Sequence, residues 1–271
     1  MEVFLSWGTT FVFLLTTLLY IYRFVKNEKG LGAGPSITLS IAIVFNIIYM
    51  VSLAYSFRRF PLSSFPEALN FIATAVAISY LAIEIFTKNR NTGVFILTLV
   101  FLFKLFSAIL MKENSSVNPI LANWYFIFHV IPSTLGYTAF SLSMIYGLLY
   151  LMLYNELHQK KFGPFFDRLP PLEGMERMIR ISVKLGFVLL TIGILAGLAL
   201  SKATFSVFFK WDPKMLIIMA IWLVYFMFLI LAARFSWKGK RYAISSIMGF
   251  SIILAALAVV QLFLKSFHTF V

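Results

Sequence analysis

Three histidines are the only imidazoles in this chain of 271 residues. Two of them flank long apolar runs: His129, in FIFHV, stands at the start of one, and His268, in LKSFHTF, at the end of another. Neutral imidazoles from two separate segments are a normal way to hold haem iron from both axial positions. A porphyrin also needs apolar or aromatic walls and cations for its propionates. A single histidine at a membrane boundary has a plainer use, resting at headgroup level with one nitrogen in water. The third, His158, follows YNEL among basic neighbours and is read as solvated, with no role. The chain has no cysteine, which excludes disulfides, thiol catalysis and Cys-ligated zinc or iron–sulfur sites.

The segment SKATFSVFFKWDPK, residues 201–214, could supply the rest of such a site. Phe205, Phe208, Phe209 and Trp211 offer ring-stacking surface, and Lys202, Lys210 and Lys214 lie beside them. Arg58 and Arg59 are expected on the same side of the membrane. By spacing alone, Asp212 followed by Pro213 is also an ordinary helix start, a carboxylate cap before proline at the first helical position, with Trp211 as an interface anchor.

The elements that would position these residues follow from composition. Hydrophobic residues make up 61% of the chain and charged ones 12%, with a mean hydropathy of +0.92, which a soluble domain with a polar exterior could hardly tolerate. A bilayer-spanning helix needs roughly 20 mostly apolar residues. Eight stretches qualify, at 4–22, 37–55, 68–85, 94–111, 126–154, 183–200, 215–233 and 247–267. The first has no basic stretch before it and no small-residue cleavage pattern after it, so it is expected to be retained. The expectation is an all-α integral membrane protein of eight transmembrane helices forming a single polytopic domain over 1–271.

The net charge of +13 raises nucleic acid as a partner, but the distribution of Lys and Arg points elsewhere. Odd-numbered loops hold fifteen, from Arg23, Lys26 and Lys29 in the first to Arg234, Lys238, Lys240 and Arg241 in the last. Even-numbered loops hold six: Arg58, Arg59, Lys112, Lys202, Lys210 and Lys214. The positive-inside rule then puts the odd loops in the cytoplasm and both termini outside, with His129, His268 and Trp211 on the outer face. The basic surplus is an orientation signal and an attraction to anionic lipid, and no nucleic-acid partner is expected.

Residues 155–182 are expected to form a cytoplasmic loop with amphipathic pieces, broken by Pro164, Pro170 and Pro171. Gly193 and Gly197, in GILAG, are read as a close helix-packing pair. Lys104 lies inside the fourth span, where it is either a functional intramembrane charge or a side chain that snorkels to the outer interface, and snorkelling is the expectation. Glu67 and Glu84, near span ends, are expected to be solvated.

Several segments together carry a resemblance. WDPKMLIIMAIWLVYF, followed by SWKGKRYAISSIMGFSIILAALAVVQLFLKSFHTF, resembles the carboxy-terminal core of the cytochrome c assembly family, which includes CcsA, CcmC and HemX. Trp211, Asp212, Pro213, Lys214, Trp222, Tyr225, Gly249, Phe250 and His268 match its pattern. NWYFIFHVIPSTLGYTAFSLSMIYGLLYLM resembles the family helix that opens with the first external haem-ligand histidine, here His129. RLPPLEGMERMIRISVKLGFVLLTIGILAG and FPLSSFPEALNF are similar to further family segments, and the assembly core is expected over about 60–271. The chain departs from the pattern where phenylalanines replace most of the external tryptophans and Met215 stands in place of a glutamate. Full-length CcsA-type members are understood to carry further intramembrane histidines, and the corresponding positions here lie near Asn46 and at Ile230. The resemblance therefore implies an external haem site without the intramembrane one, a pattern closer to HemX.

The resemblance implies a membrane protein of the bacterial cytoplasmic (inner) membrane that binds haem b (iron protoporphyrin IX) through His129 and His268. It would act in cytochrome c maturation, as part of a haem lyase or cytochrome c synthase system with a CcsB-like subunit and an apocytochrome c. Trp211, Asp212 and the phenylalanines would hold the porphyrin, and Arg58, Arg59, Lys202, Lys210 or Lys214 would meet its propionates. A second reading is a HemX-type regulator of tetrapyrrole biosynthesis, acting through the abundance of glutamyl-tRNA reductase. A third is a small-molecule transporter without haem, weakened by a shortage of polar residues in the spans.

Overall fold

The computed structural model describes residues 2–26, 32–62, 64–111, 124–160, 163–207 and 213–263. These form α1 (Glu2–Lys26), α2 (Gly34–Phe57), α3 (Phe65–Thr87), α4 (Gly93–Leu110), α5 (Trp124–His158), α6 (Pro164–Arg168), α7 (Leu172–Phe205), α8 (Pro213–Arg234) and α9 (Lys240–Phe263). All but α6 are long and apolar enough to cross a membrane, so the eight expected spans are present and the protein is an all-helical, multi-pass membrane protein. No strand occurs among the described residues.

Local chemistry sets the ends. The Ser64 hydroxyl accepts from the Glu67 backbone N–H to cap α3, and Pro66 sits in the first turn, where its missing N–H costs nothing. The left-handed residues Arg58, Lys88 and Ser206 terminate α2, α3 and α7. The segment expected as a loop is largely helical: α5 continues to His158 and α7 begins at Leu172. Prolines do interrupt it, Pro164 opening α6 and Pro171 capping α7, but a proline at a helix start breaks nothing behind it. The sixth span is thus the second half of a helix of 34 residues.

The helices divide into two compact units, α1–α4 and α5–α9. In the first, α4 packs on both α1 and α3, and α2 on α1. The buried face of α1 reads Glu2, Ser6, Thr9, Thr10, Phe13, Thr16, Thr17 and Tyr20, almost all polar, while Phe4, Phe11, Leu15 and Leu18 face outward. That inversion suits a bilayer, where hydrogen bonds and close contact hold helices together and apolar burial contributes little. Thr10 and Thr17 reach across to the carbonyls of Lys104 and Leu97 on α4.

In the second unit, α5 is the hub, packed on α7 and α9. Glycines let α5 and α7 approach: a Cβ at Gly136 would stand 3.1 Å from the Gly186 carbonyl oxygen. At one end of this unit Arg180 bridges Glu176 at 2.7 Å and donates to the Trp237 carbonyl, while the Gly239 N–H donates to Glu176. These bonds tie the start of α7 to the turn between α8 and α9.

Candidate functional site

His129 lies in the second turn of α5, half-buried against α7. Its Nδ1 is 2.7 Å from the carbonyl oxygen of Gly193. A carbonyl can only accept, so Nδ1 carries the proton and the basic lone pair is on Nε2. This is the arrangement that orients a metal-binding imidazole, with one ring nitrogen donating to a backbone carbonyl and the other directed at the metal.

Gly197 makes room for the ring, since a Cβ there would stand 2.7 Å from Nδ1 and 2.9 Å from Cε1 of His129. One turn away, a Cβ at Gly193 would collide with the Ser133 hydroxyl, which itself donates to the His129 carbonyl at 2.7 Å. Gly193 and Gly197 are therefore the expected packing pair, and what they pack against is the histidine and the turn that follows it. Sequence reading missed this link; the signal was the four-residue spacing of His129 and Ser133 against that of the two glycines.

The antiparallel course of α9 bears on the second histidine. Gly239 stands beside the Tyr150 hydroxyl, Lys240 Nζ lies 5.5 Å from the Tyr154 ring centroid, and Gly147 abuts Ala243. From this start α9 runs back along α5, with the Ser246 hydroxyl on that of Ser143, so that at about 1.5 Å per residue Phe263 comes to about the level of residue 126, near the start of α5. His268 lies outside the described residues, five positions further along the chain.

Phe208, Phe209, Lys210, Trp211 and Asp212 also lie outside the described residues. Phe205 ends α7 and Lys214 is in the first turn of α8, while Lys202 is exposed near the end of α7, about one turn beyond Gly197. In the other unit, Arg58 is exposed, and Arg59 forks onto Glu67 with both side chains buried (2.8 and 2.9 Å). Trp222 and Tyr225 of WLVY are packing residues: Trp222 donates to Thr191 and stacks on Phe187 and Phe226, and Tyr225 is buried against Phe140.

Three sequence expectations are corrected in the first unit. Lys104 does not snorkel. It is fully buried, and its ammonium donates to Thr9 Oγ1 (3.0 Å), Asn46 Oδ1 (2.7 Å) and Asn70 Oδ1 (2.6 Å), so each of the four helices contributes to one cation. Glu67 is not solvated, because Arg59 holds it. Nor is Glu84, which accepts from Tyr20 (2.6 Å), Ser36 and Arg90. In each case interior polar partners remove the need to reach water.

Among the described residues no group of three or more His, Asp or Glu is arranged to hold a metal ion. Iron held between two imidazoles needs no such cluster. The family model described as Cytochrome C assembly protein matches residues 62–268, close to the expected core. The chain belongs to this family. Among its relatives are the cytochrome c biogenesis protein CcsA of Heterosigma akashiwo, 24% identical over 95% of this chain and 91% of that protein, and CcsA of Chlamydomonas reinhardtii, 27% identical over 93% and 72%. Protein HemX of Bacillus subtilis is 23% identical over 89% of this chain and 88% of its own length. Membership assigns this membrane protein to cytochrome c assembly, and the family implies haem handling.

Proposed function

We propose that this protein holds haem b on the extracytoplasmic side of the cell membrane for cytochrome c maturation, with both chain ends on that side and the helices acting as one polytopic domain. The observation that carries the reading is the 2.7 Å contact between His129 Nδ1 and the Gly193 carbonyl, which fixes the tautomer an axial ligand needs. The antiparallel course of α9, which brings its end to the same end of the unit as His129, supports His268 as the second ligand.

Nε2 of His129 would hold the iron, with His268 as its partner ligand. Trp211, Asp212, Phe205, Phe208 and Phe209 would wall the porphyrin, and Lys202, Lys210 and Lys214 would balance its propionates. Arg58 and Arg59 are further propionate candidates, although Arg59 is already engaged with Glu67. The bound group supplies a vinyl edge to an apocytochrome c, which a partner subunit of the CcsB kind would deliver within a haem lyase system.

The test is the visible spectrum of the protein purified in detergent. Six-coordinate, low-spin haem is expected in the wild type, with loss or altered ligation in His129→Ala and in His268→Ala. A colourless protein that takes up no added haem would overturn the proposal. The near full-length match to HemX favours a second reading, regulation of tetrapyrrole synthesis through a cytoplasmic partner. Co-purification of an apocytochrome or a CcsB-like subunit supports assembly, and that of a soluble biosynthetic enzyme supports regulation.

A further inference from the structure

The turn between α8 and α9 gathers unpaired positive charge. Residues 234–241 read RFSWKGKR, with Arg234, Lys238, Lys240 and Arg241 and no acid among them. All four side chains are exposed. Lys240 lies over the Tyr154 ring, whereas Arg234, Lys238 and Arg241 have no ion pair or side-chain hydrogen bond among the described residues. The carboxylate that touches the turn, Glu176, is spent on Arg180 and on the Gly239 N–H. On the same end of α7 the exposed Glu173 is matched in number by the exposed Arg177, so the surplus stands. At the α1–α2 and α3–α4 ends, Arg23 is engaged by the Gly32 carbonyl and Arg90 by Glu84, and Lys26 and Lys88 are exposed singly.

The backbone that carries these cations is held in one shape. Ser236 and Gly239 are left-handed, with φ of 48° and 56°. The Trp237 N–H donates to the Ala232 carbonyl and the Ser236 N–H to that of Ala233, the helix ending that a left-handed residue permits. From α7, Arg180 donates to the Trp237 carbonyl. A cation cluster on a fixed backbone binds an anion at a lower ordering cost than one on a free loop.

Each helix also brings an apolar stripe down to the turn. Leu223, Met227 and Ile230 are exposed at helical spacing on α8 and lead to Arg234, and Ile252, Met248 and Ile244 do the same on α9 and lead to Arg241. Both helices are long and apolar enough to span a bilayer, and only residues 235–239 separate them, so both stripes reach the membrane boundary at this turn. Acyl chains ending in an anionic phosphate match that combination. A soluble phosphate would use the cations alone, and a zwitterionic lipid would add a cation of its own beside them.

We propose that the α8–α9 turn binds one anionic phospholipid, its phosphate held by Arg234, Lys238 and Arg241 and its acyl chains lying on the stripes that lead to them. Arginine suits this role because its planar fork meets a phosphate through two hydrogen bonds. A general attraction to anionic lipid is shared among all exposed cations, whereas this site concentrates it at one turn. The haem reading uses none of these residues, and the site stands whether or not haem binds.

Native mass spectrometry of the full-length protein in neutral detergent tests the site, with phosphatidylglycerol and phosphatidylcholine of identical acyl chains added in turn. The first phosphatidylglycerol is expected to bind at least about 10-fold more tightly than phosphatidylcholine. Replacing Arg234, Lys238 and Arg241 together by Gln should weaken it by about 10–100-fold, and Arg241→Gln alone by about fivefold, so the outcome does not depend on the triple variant folding. Gln at the exposed Lys26, Lys88 and Lys160 removes the same charge elsewhere and should leave the affinity unchanged. Equal weakening in the two triple variants would reduce the effect to a diffuse field and overturn the site. Phosphatidylglycerol binding no tighter than phosphatidylcholine would also overturn it, as would glycerol 3-phosphate displacing the lipid at similar concentration.

Discussion

Gly197→Ala is the sharpest perturbation of the proposed ligand because it adds one methyl group where the imidazole now sits. The new Cβ would stand 2.7 Å from His129 Nδ1, whereas an ordinary contact is about 3.5 Å, so the ring must retreat by roughly 0.8 Å. Retreat by that amount lengthens the 2.7 Å hydrogen bond to the Gly193 carbonyl by up to about 0.8 Å, which weakens it or carries it out of hydrogen-bonding range. The imidazole then loses both its fixed tautomer and its aim, and partners of this kind change metal affinity by about 10–100-fold.

The assay compares haem content, visible spectrum and midpoint potential for wild type and Gly197→Ala, with the ¹⁵N signals of the His129 imidazole as a readout that needs no haem. Haem affinity is expected to fall by about 10–100-fold, with the Nδ1–H tautomer no longer dominant. Gly186→Ala is the control, because its Cβ would strike Phe140 and so loosen α5 against α7 without touching His129. A Gly197→Ala protein with unchanged potential, spectrum and ¹⁵N pattern would refute the positioning argument. So would equal losses in Gly186→Ala, which would make the effect one of packing alone.

Arg59→Leu removes the guanidinium that forks onto the buried Glu67 carboxylate, and the variant is expected to be destabilised by about 3–5 kcal/mol, read as a lower unfolding midpoint in detergent; Arg59→Lys should recover part of it. Lys104→Met keeps the volume but leaves oxygens of Thr9, Asn46 and Asn70 without their donor, at about 1–3 kcal/mol for each acceptor not rescued by water, so its thermal midpoint should fall. Topology reporters fused after Lys202 and after Lys238 are expected to show the periplasmic and the cytoplasmic side respectively, and the opposite pattern would put the proposed haem site on the wrong face.

The span count was legible because a bilayer imposes one length and one composition on every crossing helix, and α1–α5, α8 and α9 fall where apolar runs predict them. The helical course of 172–182 was hidden because proline was read as a breaker, although Pro171 stands at a cap, where it favours the helix that follows. His129 was legible as a lone titratable ring beside an apolar run. Its orienting partner was not, because a backbone carbonyl leaves no mark in the sequence and the glycines that admit the ring look like any packing pair. Lys104 misled for a related reason. Snorkelling is the outcome for a lysine whose neighbours are apolar, and whether Asn46 and Asn70 were neighbours depended on how four helices are rotated about their axes.

That rotation also bears on whether a metal could sit inside the helices. The resemblance puts the intramembrane ligand positions near Asn46 and at Ile230. Asn46 is wholly buried, with its amide oxygen on Lys104 and its amide nitrogen on Thr74 at 2.6 Å, so both ends of the side chain are engaged. A cation at that point opposes a second cation electrostatically, and a ligand there would have to displace hydrogen bonds that join all four helices of the unit. Ile230 is 44% exposed, on the outer surface of α8, where an apolar side chain meets lipid without cost. Neither position supplies a lone pair directed at an interior space, and each is filled by a residue whose chemistry its surroundings satisfy. The proposed iron site therefore rests on the imidazole of His129, held by the Gly193 carbonyl, together with the second ring proposed at position 268.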